Sequence, residues 1–533
     1  MSRAATTAAP RPRVVLVYPG FTGGEGPDID PSDLATEKVV PMGCLALGAY
    51  LESQGFAVTL LDGRMLRADE LVDQAVRAAQ DAVCVGLSAM TIQVSGALRV
   101  ADALRAARGP RIPIVWGGTH ATEFPRQTLA DPACDFVVVG EGELAFASLL
   151  SALAAGRSPD PHTPGLAGAA DRAEVPSPAP PVDPAALPPP AYHLLDLERY
   201  IHRRTPDGRT VRGMDVLASR GCPYRCTFCL NPSLGQRRWR PRRVEQVLAD
   251  ASGLIRDYRI NHLWFMDDYF FGRPERTEQF VDFFLSHGGR VTWEVNLRAS
   301  DLRPDRLSDA GLARLRASGL CVARIGMESG SDRMLRRYQK DITVEDIERA
   351  VRRLVAHDIF PLGFWMMGAP GETLDDITRT LELIHRLHEV HPADPHWVPG
   401  VFRPYPGSAL YAEAQGLGFA EPQSLRQWAA RPLAAGYVAA KDLPWIPDRA
   451  WIEDLQQYYS RWLSPSLGGG WKGILRRAVY GPLARLARWR CRTGRWDWRV
   501  ETVPFRVLRR VAARLPSRVA APLAGLCGGG DLA

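Results

Sequence analysis

Leu217-Ala218-Ser219-Arg220-Gly221-Cys222-Pro223-Tyr224-Arg225-Cys226-Thr227-Phe228-Cys229 is the stretch on which the fold of this 533-residue chain turns. It sets three thiols at C-x3-C-x2-C spacing on a loop behind an apolar strand, so that they can converge on one corner of a cubane. Soft thiolate ligands select iron–sulfur clusters or zinc. A structural zinc site normally closes with a fourth Cys or His at short spacing. Here the next His is His262 and the next Cys is Cys321. Three ligands leave one iron of a four-iron cluster open to a further ligand. The other six cysteines (Cys44, Cys84, Cys134, Cys321, Cys491, Cys527) are scattered singly, which suits small buried side chains and gives no disulfide framework.

Downstream of the triplet, apolar runs alternate with amphipathic stretches to about residue 420. Trp239-Arg240-Pro241-Arg242 and a helix from Val244 form the first crossover. A second strand begins at His262 and ends in Asp267 and Asp268. Ligands of barrel folds sit at the C-terminal ends of strands, so either carboxylate is a ligand candidate. A loop-capping pair is the alternative. The strand over 291–297 ends at Arg298, whose forked cation suits a carboxylate; a surface Arg is the bland reading. Residues 322–330 end in Glu328, Ser329 and Gly330. Residues 362–373 run from a strand through Gly368-Ala369-Pro370-Gly371-Glu372 into a helix start, with glycines that permit close backbone approach to a ligand. Phe402-Arg403-Pro404-Tyr405-Pro406-Gly407 marks a later strand end.

The triplet, with Phe228 as the aromatic before the third Cys, resembles the signature of the radical SAM superfamily. The resemblance implies a partial TIM-type (β/α) barrel with the cluster loop after its first strand. It also implies a 4Fe–4S cluster on Cys222, Cys226 and Cys229, whose open iron chelates S-adenosylmethionine. By the same resemblance, one of Asp267 and Asp268 would accept a bond from the methionyl ammonium, and Arg298 would grip the carboxylate. Glu328, with Ser329 beside it, would bind the ribose, and the backbone at Gly368 would approach the adenine.

Residues 13–155 read as an α/β domain of Rossmann type. Strands are expected at 14–19, 57–62, 82–88, 112–116 and 136–139, with helices at 43–53, 68–79, 94–107 and 143–155. The loop Gly20-Phe21-Thr22-Gly23-Gly24-Glu25-Gly26 lacks G-x-G-x-x-G spacing, which argues against a dinucleotide. The signals lie at later strand ends: Ser88 and Thr91, then Gly117-Gly118-Thr119-His120, then Gly140-Glu141-Gly142. Ligands of open α/β sheets bind outside these ends. The Ser-plus-Thr and Gly-Gly pattern resembles the cobalamin-binding domain of methionine synthase and its relatives. It implies that those nine residues contact cobalamin, the small ones making room for its nucleotide tail. The D-x-H-x-x-G that brings a histidine to cobalt there is absent, so no histidine ligand to cobalt is expected, and His120 reads as a tail contact.

The whole is therefore expected to comprise a flexible tail (1–12), a cobalamin-binding domain (13–155), a Pro/Ala-rich linker (156–191, including PSPAPPVDPAALPPPA), a radical SAM core (192–425) and a helical basic C-terminal region (426–533). The N-terminus has no apolar core of a signal peptide and no run approaches a membrane span, so the expected compartment is the cytoplasm. Of the net charge of +7, residues 471–533 carry fourteen Lys/Arg against three Asp/Glu, so basicity belongs to the tail. With Trp445, Trp451, Tyr458, Tyr459, Trp462, Trp471, Trp489, Trp496 and Trp498 nearby, that region reads as a cap over the barrel, with peripheral membrane contact the alternative and nucleic acid not expected.

The architecture resembles the class B cobalamin-dependent radical SAM methyltransferases. It implies methyl transfer from S-adenosylmethionine, via methylcobalamin, to an unactivated sp3 carbon of a small biosynthetic intermediate. An external one-electron reductant such as flavodoxin or ferredoxin would supply the cluster. Radical cyclisation, ring contraction or rearrangement without methyl transfer uses the same motifs. A non-catalytic cobalamin sensor would need no cysteine triplet.

Overall fold

In a computed structural model of the chain, the residues described are 11–20, 39–168, 177–234, 237–392, 399–430, 443–446, 451–452, 454–455, 470–493, 495, 500–504, 507 and 511, with nothing said of side chains at 470–481. Most of the expected tail (1–10), residues 21–26 of the glycine loop, and Tyr458, Tyr459, Trp462, Trp496 and Trp498 lie outside them. The chain divides into two compact units, Met1–Ile201 with Glu421–Tyr437, and His202–Ala420 with Val438–Ala533.

The first unit alternates β1 (Arg13–Tyr18), α1 (Met42–Ser53), β2 (Ala57–Asp62), α2 (Ala68–Ala78), β3 (Ala82–Ser88), α3 (Val94–Arg108), β4 (Ile114–Gly117), α4 (Gly118–Glu123), α5 (Pro125–Ala130), β5 (Phe136–Val138), α6 (Gly142–Ala154) and β6 (Leu166–Gly168). The strand order is β2-β1-β3-β4-β5-β6, with the first five parallel. Strands such as β1 and β3 are near-continuous apolar runs because helices cover both faces. The chain reverses direction across the sheet between β1 and β3, which opens a crevice at the carboxyl ends.

The proline-rich segment is partly built into this sheet. β6 pairs antiparallel with β5, Ala179 N bonds Val139 O at 3.3 Å, and Val182 N donates to Glu141 at 2.8 Å. Residues 169–176 lie outside the described set. The unit also takes back a short helix, α15 (Leu425–Ala429), from beyond the second sheet. Trp428 there is 3% exposed, lies 4.9 Å from the Phe124 ring and donates to Gln127, while Arg426 bonds both Asp102 and Asp131. The domain boundary expected at 425/426 therefore falls inside one helix.

The second unit holds β7 (His202–Arg204), β8 (Thr210–Val216), β9 (Ser219–Arg220), α7 (Asn231–Leu234), β10 (Arg240–Pro241), α8 (Val244–Tyr258), β11 (His262–Phe265), α9 (Pro274–Ser286), β12 (Thr292–Leu297), α10 (Asp309–Ala317), β13 (Leu320–Glu328), α11 (Asp332–Arg337), α12 (Val344–Ala356), β14 (Phe360–Met367), α13 (Leu374–Val390), β15 (Gly400–Val401), α14 (Ala409–Gly416) and α16 (Gly470–Thr493). The sheet order is β15-β14-β13-β12-β11-β8-β7, a half-barrel parallel from β8 to β15, with β7 folded back on β8 as an antiparallel hairpin. Capping boxes at Thr343/Asp346 and Thr373/Asp376 start α12 and α13.

Alternation sorts the side chains. On β11 and β12, Phe265 and Trp293 face the helices, where the Trp293 ring stacks on Phe284 at 5.0 Å with Phe280 beside them. Trp264, Glu294 and Asn296 take the other face. α16 packs along α13. Part of the C-terminal basicity is internal, since Arg490 and Glu501 form a buried bidentate pair. Among the described residues no helix is long and apolar enough to cross a membrane.

Candidate functional site

The site in the half-barrel starts at the stem of the cysteine loop. Ala218 N donates to Asp267 at 3.0 Å, and Ser219 Oγ donates to the other oxygen of that carboxylate. Arg276 donates to Ala218 O and Arg242 O, and Arg242 to Leu217 O and Asp250. Asp267 is fully buried, and burial raises its carboxyl to about 6. Its side chain is thus engaged in holding the loop, whereas Asp268, the next residue and also beyond the end of β11, is exposed and bonded by Asn231.

The three thiols are free. Burial pushes the Cys222 thiol up to about 11 and raises Cys229 as well. Asn231 N donates to Cys229 Sγ at 3.4 Å, and Arg298 Nη1 stands 3.6 Å from Cys226 Sγ. Among the described residues no three His, Cys, Asp or Glu side chains gather as for a single metal ion; a cluster gives each thiolate its own iron. Arg298 is 7% exposed, and its guanidinium lies 3.7 Å from the centre of the Tyr224 ring. Its Nε and Nη2 are buried without a partner. Buried cationic donors left unpaired are costly. Two of them beside a thiol fit a site completed by an anionic group, which is the donor chemistry a cluster with a bound amino-acid carboxylate would meet.

Glu328 ends β13 at a bulge, with φ at +63°, and is paired with Lys340 at 2.8 Å. Ser329 is buried against Thr380 and accepts from Ser331 N. Gly368 has φ at +80°; its N–H is held by Glu372 and its carbonyl accepts from Trp445 Nε1 at 2.9 Å. Phe228 packs on the cluster of Met334, Tyr338, Ala369, Phe402 and Leu410. The half-barrel thus gathers the cysteine loop, Arg298 and Phe228 with Glu328 through Lys340, while Asp267 and Ser329 are committed to internal bonds. Sequence reasoning missed Asn231, Arg276, Lys340 and Glu372. Only Lys340 carried a signal, as one of four lysines in an arginine-rich chain.

In the first unit, Ser88, Thr91, Gly117, Gly118, Thr119, Gly140, Glu141 and Gly142 are half-buried at the carboxyl ends of β3, β4 and β5 and the turns that follow. A Cβ on Gly117 would meet nothing closer than 3.9 Å, so room exists there, whereas Gly118 (φ +85°) is pressed against Ala89. Thr122 Oγ1 links Gly118 O to Gly140 N, and Glu141 is engaged by Val182. His120 is wholly buried, bonded through Nδ1 to Thr91 Oγ1 at 3.2 Å and set edge-on to Trp428. Burial lowers it to about 3, so the imidazole is neutral. Small residues at the carboxyl ends of β3, β4 and β5, with open space at Gly117, fit a bulky cofactor tail.

Residues 21–150 match the B12 binding domain, and residues 216–384 match the Radical SAM superfamily. The chain is 28% identical over 401 residues to an uncharacterised methyltransferase of Pyrococcus horikoshii, spanning 72% of this chain and 82% of the other. It is 25% identical over 414 residues to the anaerobic magnesium-protoporphyrin IX monomethyl ester cyclase of Rubrivivax gelatinosus, spanning 75% and 70%. The solved structure of OxsB, described as a cobalamin-dependent S-adenosylmethionine radical enzyme, superposes with a TM-score of 0.67. It covers 90% of this chain and 72% of OxsB at 17% identity, a likeness of fold.

Proposed function

We propose that this chain, which belongs to the cobalamin-dependent radical SAM enzymes, transfers a methyl group from S-adenosylmethionine to an unactivated, sp3 carbon of a small biosynthetic intermediate. The observation that carries the reading is the joining of a B12 binding domain to a radical SAM domain in one chain. The relative from Pyrococcus horikoshii supports methyl transfer in particular.

The enzyme uses a 4Fe–4S cluster, S-adenosylmethionine and cobalamin: when bound, the cluster supplies the electron that opens S-adenosylmethionine to a carbon radical, and cobalamin supplies a methyl carrier. Cys222, Cys226 and Cys229 would hold the cluster on a loop braced by Asp267, Arg276 and Arg242. The unpaired donors of Arg298 would receive the methionyl carboxylate, and Asp268 the ammonium. Glu328 would accept from the ribose, and the turn at Gly368, held by Glu372, would lie against the adenine. Ser88, Thr91, residues 117–120 and residues 140–142 would line the cobalamin site. An electron donor from outside the chain would feed the cluster.

Cyclisation or rearrangement without methyl transfer is the second reading, favoured by the cyclase of Rubrivivax gelatinosus. Incubating the reconstituted, reduced enzyme with trideuteromethyl-labelled S-adenosylmethionine and candidate intermediates separates the two. A product heavier by one CD3 group is the expected result. An isomerised or cyclised product free of label, formed along with 5′-deoxyadenosine, would replace the methyltransferase reading with the second.

A further inference from the structure

Six non-glycine residues among those described have positive φ. Arg259 and Asp358 follow the ends of α8 and α12, and Gln339 closes α11, where left-handed backbone is the ordinary way to end a helix. Arg237 lies in the loop after α7, and Glu328 (+63°) and Asp341 (+56°) likewise end no helix. Glu328 is one member of an ion pair, and Asp341 follows the other member, Lys340. Glu328 accepts from Lys340 Nζ at 2.8 Å, and the side chains are 12% and 9% exposed. Lys340 stands between the two left-handed residues Gln339 and Asp341, so the backbone on both sides of it is bent into the turn that presents it. Strained backbone persists where the surroundings over-determine it, and it concentrates at functional sites.

Three further features serve the same pair. A Cβ on Gly326 would lie 2.6 Å from Lys340 Nζ and against the Glu328 carboxylate, so a side chain at this position would displace the pair. The β13–β14 register slips between Gly326 and Glu328, which turns Glu328 out of the regular alternation. The Lys340 ammonium also stands 5.5 Å from the centre of the Phe228 ring, between the second and third cysteines. The segment before it is bonded to the cysteine loop, Thr227 N to Tyr338 O at 3.0 Å and Thr227 Oγ1 to Arg337 O at 3.1 Å.

We propose that Lys340 is a positioning residue: its ammonium fixes the Glu328 carboxylate in the orientation that receives the ribose hydroxyls of S-adenosylmethionine, and ties that orientation to the cysteine loop. This rests on the ribose-binding reading of Glu328. Replacing the ammonium by an apolar group leaves a largely buried carboxylate without its counter-charge, and Glu328 turns toward water.

The test is calorimetric titration of S-adenosylmethionine into reconstituted, cobalamin-loaded protein, with iron content measured in parallel. Lys340→Met and Glu328→Gln should each weaken binding by about tenfold or more, the scale of one charge-assisted hydrogen bond. Lys340→Arg should restore part of the loss. Because Lys340 acts through Glu328, the double variant should bind no more weakly than Glu328→Gln alone. Gly326→Ala, which displaces the pair without altering either charge, should reproduce the loss and serves where Lys340→Met loses iron. Wild-type binding by Lys340→Met or Gly326→Ala overturns the proposal, and so do fully additive losses in the double variant. Wild-type binding by Glu328→Gln instead overturns the ribose reading on which it rests.

Discussion

Glu372 shows how far a single residue can depart from what its letter suggests. It follows the glycine turn at the start of α13, where a carboxylate reads as ordinary helix-terminus charge. Its Oε2 instead accepts from Gly368 N and Ala369 N, and its Oε1 is buried without a partner. Burial raises the carboxyl to about 8. The folded protein therefore keeps a proton that the unfolded chain releases near the usual value of 4.5. Linkage then has one sign: the contribution is full below about pH 4.5 and is lost as the pH rises through about 8. Glutamine has the shape of the protonated acid and does not titrate, so Glu372→Gln should remove that decline. Urea midpoints at pH 6 and pH 8.5 check it. Wild type should fall between the two and the variant should not; equal falls would assign the slope to other groups. Nothing in the string of letters announces this, because the unpaired oxygen is a product of how the turn packs.

At the scale of elements, the sequence was most legible where burial is regular. The strands expected at 57–62 and 82–88 are β2 and β3 as built, and β3, inside the sheet, is an apolar run because both of its faces are covered. β6 and β7 were not legible: three residues of edge strand carry no period, and their antiparallel pairing is decided by the neighbour strand. Helix α15 was hidden for another reason. Its burial is supplied by partners nearly three hundred residues earlier, Gln127 and Asp131. Removing a buried aromatic costs about 3–5 kcal/mol, so Trp428→Ala should lower the stability of the first unit by about that amount. Arg426→Ala should cost less, about 1–3 kcal/mol, because its pair with Asp102 is exposed and only Asp131 is left buried. Urea unfolding followed by release of bound cobalamin measures both. A wild-type midpoint for Trp428→Ala would mean that α15 adds nothing to that unit.

At the scale of the whole molecule, the two candidate cofactor sites are carried by separate sheets, and each sheet brings its candidate residues to the carboxyl ends of its own strands. The cysteine triplet was legible because three thiols in eight residues are chemically specific. The candidate cobalamin site shows in the sequence only as small residues at strand ends, since shape is not written in any one side chain. That division makes a loading experiment decisive. Replacing Cys222, Cys226 and Cys229 together by Ala removes the thiolates from the second unit and leaves every residue of the first unchanged. Iron should fall from about four per chain to none, and 5′-deoxyadenosine formation should stop, while cobalamin binds in the same stoichiometry by its visible absorption. The cobalt(II) form of that sample should show no nitrogen splitting by electron paramagnetic resonance. His120 is wholly buried and holds Thr91 through Nδ1 while its Nε2 has no partner, and the loop Gly20–Gly26 carries no histidine. Nitrogen splitting would bring a histidine back to cobalt, and loss of cobalamin with the iron would show that the first unit does not hold its cofactor by its own residues.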